Sequence, residues 1–178
     1  IKNREYSLTD RTPQDVLEAE AIFQADWNRQ PYQARAIQLV VSPDNSREKI
    51  TSLLLSANKM IDIEDEVVQD PQIITLLGNL SQKLAVRLLL SDVNKIAQNL
   101  TTGQTLKSQG VQVKYLASPY LHAKLILVDQ RFAYVGSINL TQQSLDRNRE
   151  LGIIFANQSL VSVLNEQFDK DWQDGSEL

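Results

Sequence analysis

The stretch Leu121–Glu150, LHAKLILVDQRFAYVGSINLTQQSLDRNRE, holds the single histidine of the chain, His122. Lys124 stands two positions on, Asp129 follows four apolar residues, and then come Gly136, Ser137, Asn139, Ser144 and Glu150. Residues 122–128 and 132–138 read as two strands joined by a turn that contains Asp129. Side chains two apart on a strand share a face, so His122 lies with Lys124 and Ser137 lies with Asn139. The glycine before Ser137 removes a side chain where the second strand returns. The polar ends of the two strands then sit side by side, gathering an imidazole, an ammonium, a hydroxyl and an amide at one sheet edge. Such a set suits a phosphodiester: Lys124 offers compact positive charge to non-bridging oxygens, with Ser137 and Asn139 as neutral donors. Histidine can attack phosphorus or protonate a leaving oxygen near neutral pH.

His-x-Lys, four residues, Asp, six residues, Gly-Ser-x-Asn resembles the HKD signature of the phospholipase D superfamily, with every fixed position filled. The resemblance implies an α/β sandwich whose mixed sheet is flanked by helices. It also implies two such sets facing each other across a pseudo-twofold axis. One histidine would form a phosphohistidine intermediate and the other would act as general acid, then base. Neither metal nor cofactor is implied, since lysines neutralise the phosphate charge. Asp129 belongs to the signature, although a turn carboxylate that accepts backbone N–H groups is the alternative reading.

The 178 residues suffice for one domain or slightly more, with a core that needs no staple. No cysteine is present, which excludes disulfides, thiolate metal sites and a cysteine nucleophile. A net charge of −4 leans against a broadly basic nucleic-acid surface and against adhesion to an anionic membrane. No apolar run reaches the roughly 18 residues of a membrane span. No leader peptide is recognisable and the compartment stays open.

An internal repeat is visible at an offset of 145 residues. Asn3-Arg4-Glu5 matches Asn148-Arg149-Glu150, Val16 matches Val161, and Phe23, Asp26 and Trp27 match Phe168, Asp171 and Trp172. Residues 1–30 are therefore expected to be the strand-and-helix tail of a truncated first HKD repeat, and residues 34–178 the HKD domain. The first copy's histidine would lie some 23 residues before Ile1. Glu150, just ahead of the apolar run LGIIF, could hold an imidazole's tautomer. With Glu5 as its counterpart, the twofold arrangement assigns Glu5 to His122 and Glu150 to the other copy's histidine. A strand-edge surface glutamate is the alternative.

Between these ends, strands and helices alternate. Strands are expected at 37–42, 61–68, 85–90, 111–116, 122–128, 132–138 and 150–155. Helices are expected from a Ser46 cap, from Asp70-Pro71, across 92–108 with a Gly110 cap, and over 159–172. Glu64-Asp65-Glu66 reads as a solvated loop, and Tyr120 and Leu121 either flank the pocket or pack. Alternation followed by a strand cluster fits an α/β sandwich.

The function these expectations describe is a phosphodiesterase that cleaves or transfers a phospholipid or nucleic-acid diester. Its second HKD unit would come from a missing N-terminal half or from a homodimer. The rivals are an endonuclease acting as a symmetric dimer and an inactive relic that binds phosphate or a partner.

Overall fold

The apolar runs of the chain collect into one seven-stranded sheet. In the computed structural model, which describes residues 2–35 and 38–177, the chain opens with strand β1 (Asn3–Arg4) and helix α1 (Pro13–Trp27). Strands and helices then alternate: β2 (Leu39–Ser42), α2 (Ser46–Leu55), β3 (Met60–Asp65), α3 (Pro71–Ser81), β4 (Ala85–Ser91), α4 (Gln98–Ser108) and β5 (Gln112–Leu116). Next come β6 (Tyr120–Leu121), β7 (Lys124–Val128), β8 (Phe132–Gly136), the short helix α5 (Gln142–Asp146), β9 (Glu150–Phe155) and the closing helix α6 (Gln158–Asp174).

The sheet order is β2-β9-β8-β7-β3-β4-β5. β3, β4 and β5 run parallel, as the helical crossovers α3 and α4 between them require, while the later strands pair antiparallel. Side-chain alternation divides the core. Leu88 and Leu90 face the layer that holds Ile50, Leu54, Ile73, Leu77 and Leu106 of α2, α3 and α4. Leu89, Leu125 and Leu127 face Val161 and Phe168 of α6. On that second face α1 covers the far edge, packing Ile22 against Leu39, Val41 and Ile153. This is the α/β sandwich with a mixed sheet that the sequence implies.

Most elements fall where periodicity places them, and the exceptions have local causes. Asp70 caps α3 by accepting from the N–H groups of Gln72 and Ile73 at 3.0 Å each, with Pro71 at the first position. Gly110 takes φ +96° just past α4, where only glycine is unstrained. Ser46 is not a cap; Asn45 occupies that place, and the buried Ser46 hydroxyl donates to the Leu145 carbonyl. The helix expected from residue 92 starts at Gln98, because the Asp92 carboxylate draws the Asn94 N–H into a turn. The strand expected over 61–68 stops at Asp65, whose carboxylate accepts from the N–H groups of Val67 and Leu140. The strand expected over 37–42 is seen from Leu39; Ile37 lies outside the described residues.

Candidate active site

β6 lies outside the main sheet. It pairs in parallel with β1, Asn3 opposite Tyr120 and Arg4 opposite Leu121, and the ladder ends where the His122 N–H donates to the Arg4 carbonyl at 3.1 Å. Glu5 is thereby set beside the imidazole, with its Oε1 3.0 Å from His122 Nδ1. A carboxylate only accepts, so this contact places the ring proton on Nδ1, while Nε2 lies 3.6 Å from Glu66 Oε2. The side chain of His122 is 46% exposed and that of Lys124 only 5%. The Lys124 ammonium donates to the His122 carbonyl at 2.7 Å and to Glu66 Oε2 at 3.2 Å.

Ser137 and Asn139 enter the same space from the end of β8. A pocket of about 230 Å³ is lined by Glu5, Tyr6, His122, Lys124, Gly136, Ser137 and Asn139. A methyl group on Gly136 would come within 2.6 Å of Gly152 Cα and strike the Tyr134 ring, so glycine is what lets β8 and β9 close up there. The Tyr134 hydroxyl then accepts from the Ile138 N–H at 3.3 Å, shaping the turn that presents Ser137 and Asn139. Ser137 Oγ lies 3.3 Å from the Leu151 N–H, and the Asn139 Oδ1 is buried without a protein partner.

Of the candidate residues, the structure brings together Glu5, His122, Lys124, Ser137 and Asn139. Asp129 is not among them. It sits past the other end of β7, in a turn with φ +54°, where its carboxylate accepts from the backbone N–H groups of Asn58, Lys59 and Met60 at 2.8–3.0 Å. Asp129 therefore anchors a turn, with the four strand residues 125–128 between it and Lys124. Glu150 also lies apart, at the start of β9. There it accepts from Asn148 Nδ2 at 2.9 Å and borders a second depression with Phe23, Asp26, Val41 and Ser137.

The acidic run after β3 is the largest correction. Glu64 and Asp65 are 0% and 2% exposed, and Glu66 is half-buried, so this is no solvated loop. Tyr6 donates to Glu64 Oε2 at 3.0 Å, and burial, with Asp171 adding repulsion, pushes the Glu64 carboxyl up to about 8. Burial likewise raises Asp65 to about 8. Glu66 is buried too, but the Tyr120 hydroxyl and the Lys124 ammonium outweigh that cost and hold it below the usual range. Tyr120 donates to Glu66 Oε1 at 2.5 Å, is pushed up to about 12 by that bond, and stacks on His122 with ring centroids 6.4 Å apart. Asn3, then His122, lower the Glu5 carboxyl. Period-two alternation along residues 62–66 was the one sequence signal that could have put Glu64 and Glu66 on one face.

Among the described residues, no group of three or more His, Asp or Glu side chains is placed to hold a metal ion, and no helix is long and apolar enough to cross a membrane.

A mixed sheet with an HxK strand start, a Gly-Ser-x-Asn return and a buried lysine beside a carboxylate-held imidazole defines a phospholipase D-like domain. The chain belongs to that superfamily: residues 50–172 match the family model described as cardiolipin synthase, PLD-like domain. Human mitochondrial cardiolipin hydrolase is 27% identical over 131 residues, covering 73% of this chain and 52% of the relative. Phospholipase D Z of Dictyostelium discoideum is 42% identical over 79 residues, or 40% of this chain and 19% of that protein. The chain thus spans about half the length of the first relative and less of the second. Among solved structures, the phospholipase D family member Nuc from Salmonella typhimurium superposes with a TM-score of 0.74 at 20% identity, covering 80% of this chain and 97% of Nuc.

Proposed function

We propose that this chain provides one wall of a phosphodiesterase active site, completed by a second HKD unit. The observation that carries the reading is the approach of Glu5, His122 and Lys124 around one pocket. Lys124, Ser137 and Asn139 hold the non-bridging oxygens, and the carboxylate on Nδ1 keeps the Nε2 lone pair of His122 free. One imidazole of the completed site attacks phosphorus while the other gives its proton to the leaving oxygen. That second imidazole then takes a proton from water or an alcohol, which attacks the phosphohistidine and restores the first ring. Water gives hydrolysis and an alcohol gives transfer. Glu5 serves His122, and Glu150 serves the other ring.

The repeat supports the second unit. Residues 3–5 and 148–150 have the same internal bond, Asn3 to Glu5 at 3.3 Å and Asn148 to Glu150 at 2.9 Å. Phe23–Trp27 and Phe168–Trp172 stack with centroids 6.1 and 5.9 Å apart. Phe168 is fully buried, with the Arg87 guanidinium 4.8 Å above it, whereas Phe23 and Trp27 are 59% and 76% exposed. Residues 2–30 read as the end of another unit, whose own sheet takes the aromatic side of α1. A phospholipid or small diester is the favoured substrate, since the net charge of −4 suits a polyanion poorly.

Turnover of a phosphatidyl diester and of an oligonucleotide, followed against chain concentration, tests this. A shared site gives negligible turnover by the monomer, rising as a second unit associates, and His122→Asn abolishes it by at least about a thousandfold. Full turnover by the monomer would refute the shared wall. A steep loss of activity with salt would identify the nucleic acid as substrate, whereas interfacial activation identifies the lipid.

A further inference from the structure

Glu5 is 54% exposed, and among the described residues only the 3.3 Å bond from Asn3 orients it besides His122. The strand that delivers it, β1, pairs over two residues. Its direction is instead set by the residues on either side. Arg4 closes a two-pronged pair with Asp171 of α6, Nε to Oδ2 at 2.5 Å and Nη2 to Oδ1 at 2.9 Å, and Asp171 is 1% exposed. Tyr6 donates to Glu64 of β3 at 3.0 Å, and Glu64 is 0% exposed. On extended backbone, alternate side chains oppose each other. With residues 4 and 6 pulled inward to two buried acids, residue 5 turns outward onto the imidazole.

We infer that Arg4–Asp171 and Tyr6–Glu64 form a clamp whose work is to hold Glu5 on His122 Nδ1, so that these four are positioning residues for the imidazole. The inference rests on the proposal that Glu5 and His122 act as a pair. The repeat shows the arginine half of the clamp a second time: Arg149 Nε lies 3.0 Å from Asp26 Oδ2 of α1. The two pairs are crossed. Arg4 and Asp26 lie in the first repeat segment and Arg149 and Asp171 in the second, so each arginine is gripped by the other segment's helix. Two crossed occurrences of one arginine–aspartate pair, each next to a glutamate bonded by its own asparagine, are hard to ascribe to incidental packing. Arg149–Asp26 holds Glu150 for a second imidazole as Arg4–Asp171 holds Glu5 for this one.

His122 is the only histidine, so the full chain gives a single set of imidazole ¹⁵N signals. The tautomer is read at an alkaline pH where the ¹⁵N shifts no longer change with pH. The expected wild-type form carries the proton on Nδ1. Arg4→Met and Asp171→Asn should each lower the Nδ1–H to Nε2–H ratio roughly tenfold, the order by which lost orienting partners weaken imidazole function at metal sites. Arg4→Lys should restore part of it, since charge returns without the fork. Tyr6→Phe removes one hydroxyl and should move the ratio the same way by less, which keeps the test decisive if Arg4→Met fails to fold. Glu5→Ala is the reference for complete loss. If Arg4→Met, Asp171→Asn and Tyr6→Phe fold and keep the wild-type ratio while Glu5→Ala changes it, the clamp is wrong and the Glu5–His122 pair stands. If Glu5→Ala changes nothing, the pair itself falls.

Discussion

Glu5 Oε1 lies 3.0 Å from His122 Nδ1 although 117 residues separate them in the chain. The contact sets which ring nitrogen carries the proton. Glu5→Gln keeps the size but lets the amide present its NH₂ to the ring and favour the wrong tautomer. In a two-unit assembly that turns over a diester, the substitution should lower kcat by between about 10²- and 10⁴-fold, the upper figure being that of the tautomer error in a Ser-His-Asp triad. Wild-type kcat and pH profile would count against the pairing.

Lys124, 5% exposed, pairs with the half-buried Glu66, 17% exposed, whose other carboxylate oxygen accepts from Tyr120. Removing the ammonium strands a carboxylate in a poorly solvated place. Lys124→Met should weaken vanadate binding and destabilise the fold by about 3 kcal/mol. Glu66→Gln in the same chain should return most of the stability but none of the vanadate affinity. Denaturant unfolding and vanadate titration of the single and double variants separate the two roles.

Asp129 answers to three backbone N–H groups and to no group of the pocket. Asp129→Ala orphans them and should cost about 1–3 kcal/mol of stability. Vanadate binding at His122 and Lys124 should be unchanged below the new melting transition. A loss of binding in the folded variant would return Asp129 to the site.

Glu64 and Asp65 have folded values near 8 against ordinary ones of 4.5 and 3.8. Between those limits the folded chain holds protons that the unfolded chain has released, so stability falls as pH rises from about 4 to about 8. Glu66, Asp70 and Asp129 are lowered and act oppositely, losing their contribution in acid. The thermal midpoint should therefore peak near pH ~5 and decline toward pH ~8. Glu64→Gln should flatten the decline, and a midpoint that rises across this interval would contradict the buried-acid account.

What could be read from sequence was whatever is local. Alternation along 122–128 and 132–138 pairs His122 with Lys124 and Ser137 with Asn139; the structure brings these four to one pocket, although β7 starts only at Lys124 and β8 stops at Gly136, and a fixed spacing tied them to one superfamily. Asp70-Pro71 and Gly110 announced their helix ends because caps act within a few residues. The repeat at 145 residues made Glu5 a candidate partner for His122. Three things needed the tertiary structure. Glu64-Asp65-Glu66 looks like a solvated run until Tyr6, Leu140 and Lys124 arrive from elsewhere to accept its burial. Asp129 shares the motif but lies at the opposite end of the strand, because β7 carries it five residues away. The crossing of Arg4 with Asp171 and of Arg149 with Asp26 belongs to no single segment. Chemistry that acts along the chain leaves its mark in spacing. Pairs that close between distant segments exist only where the fold has already brought them together.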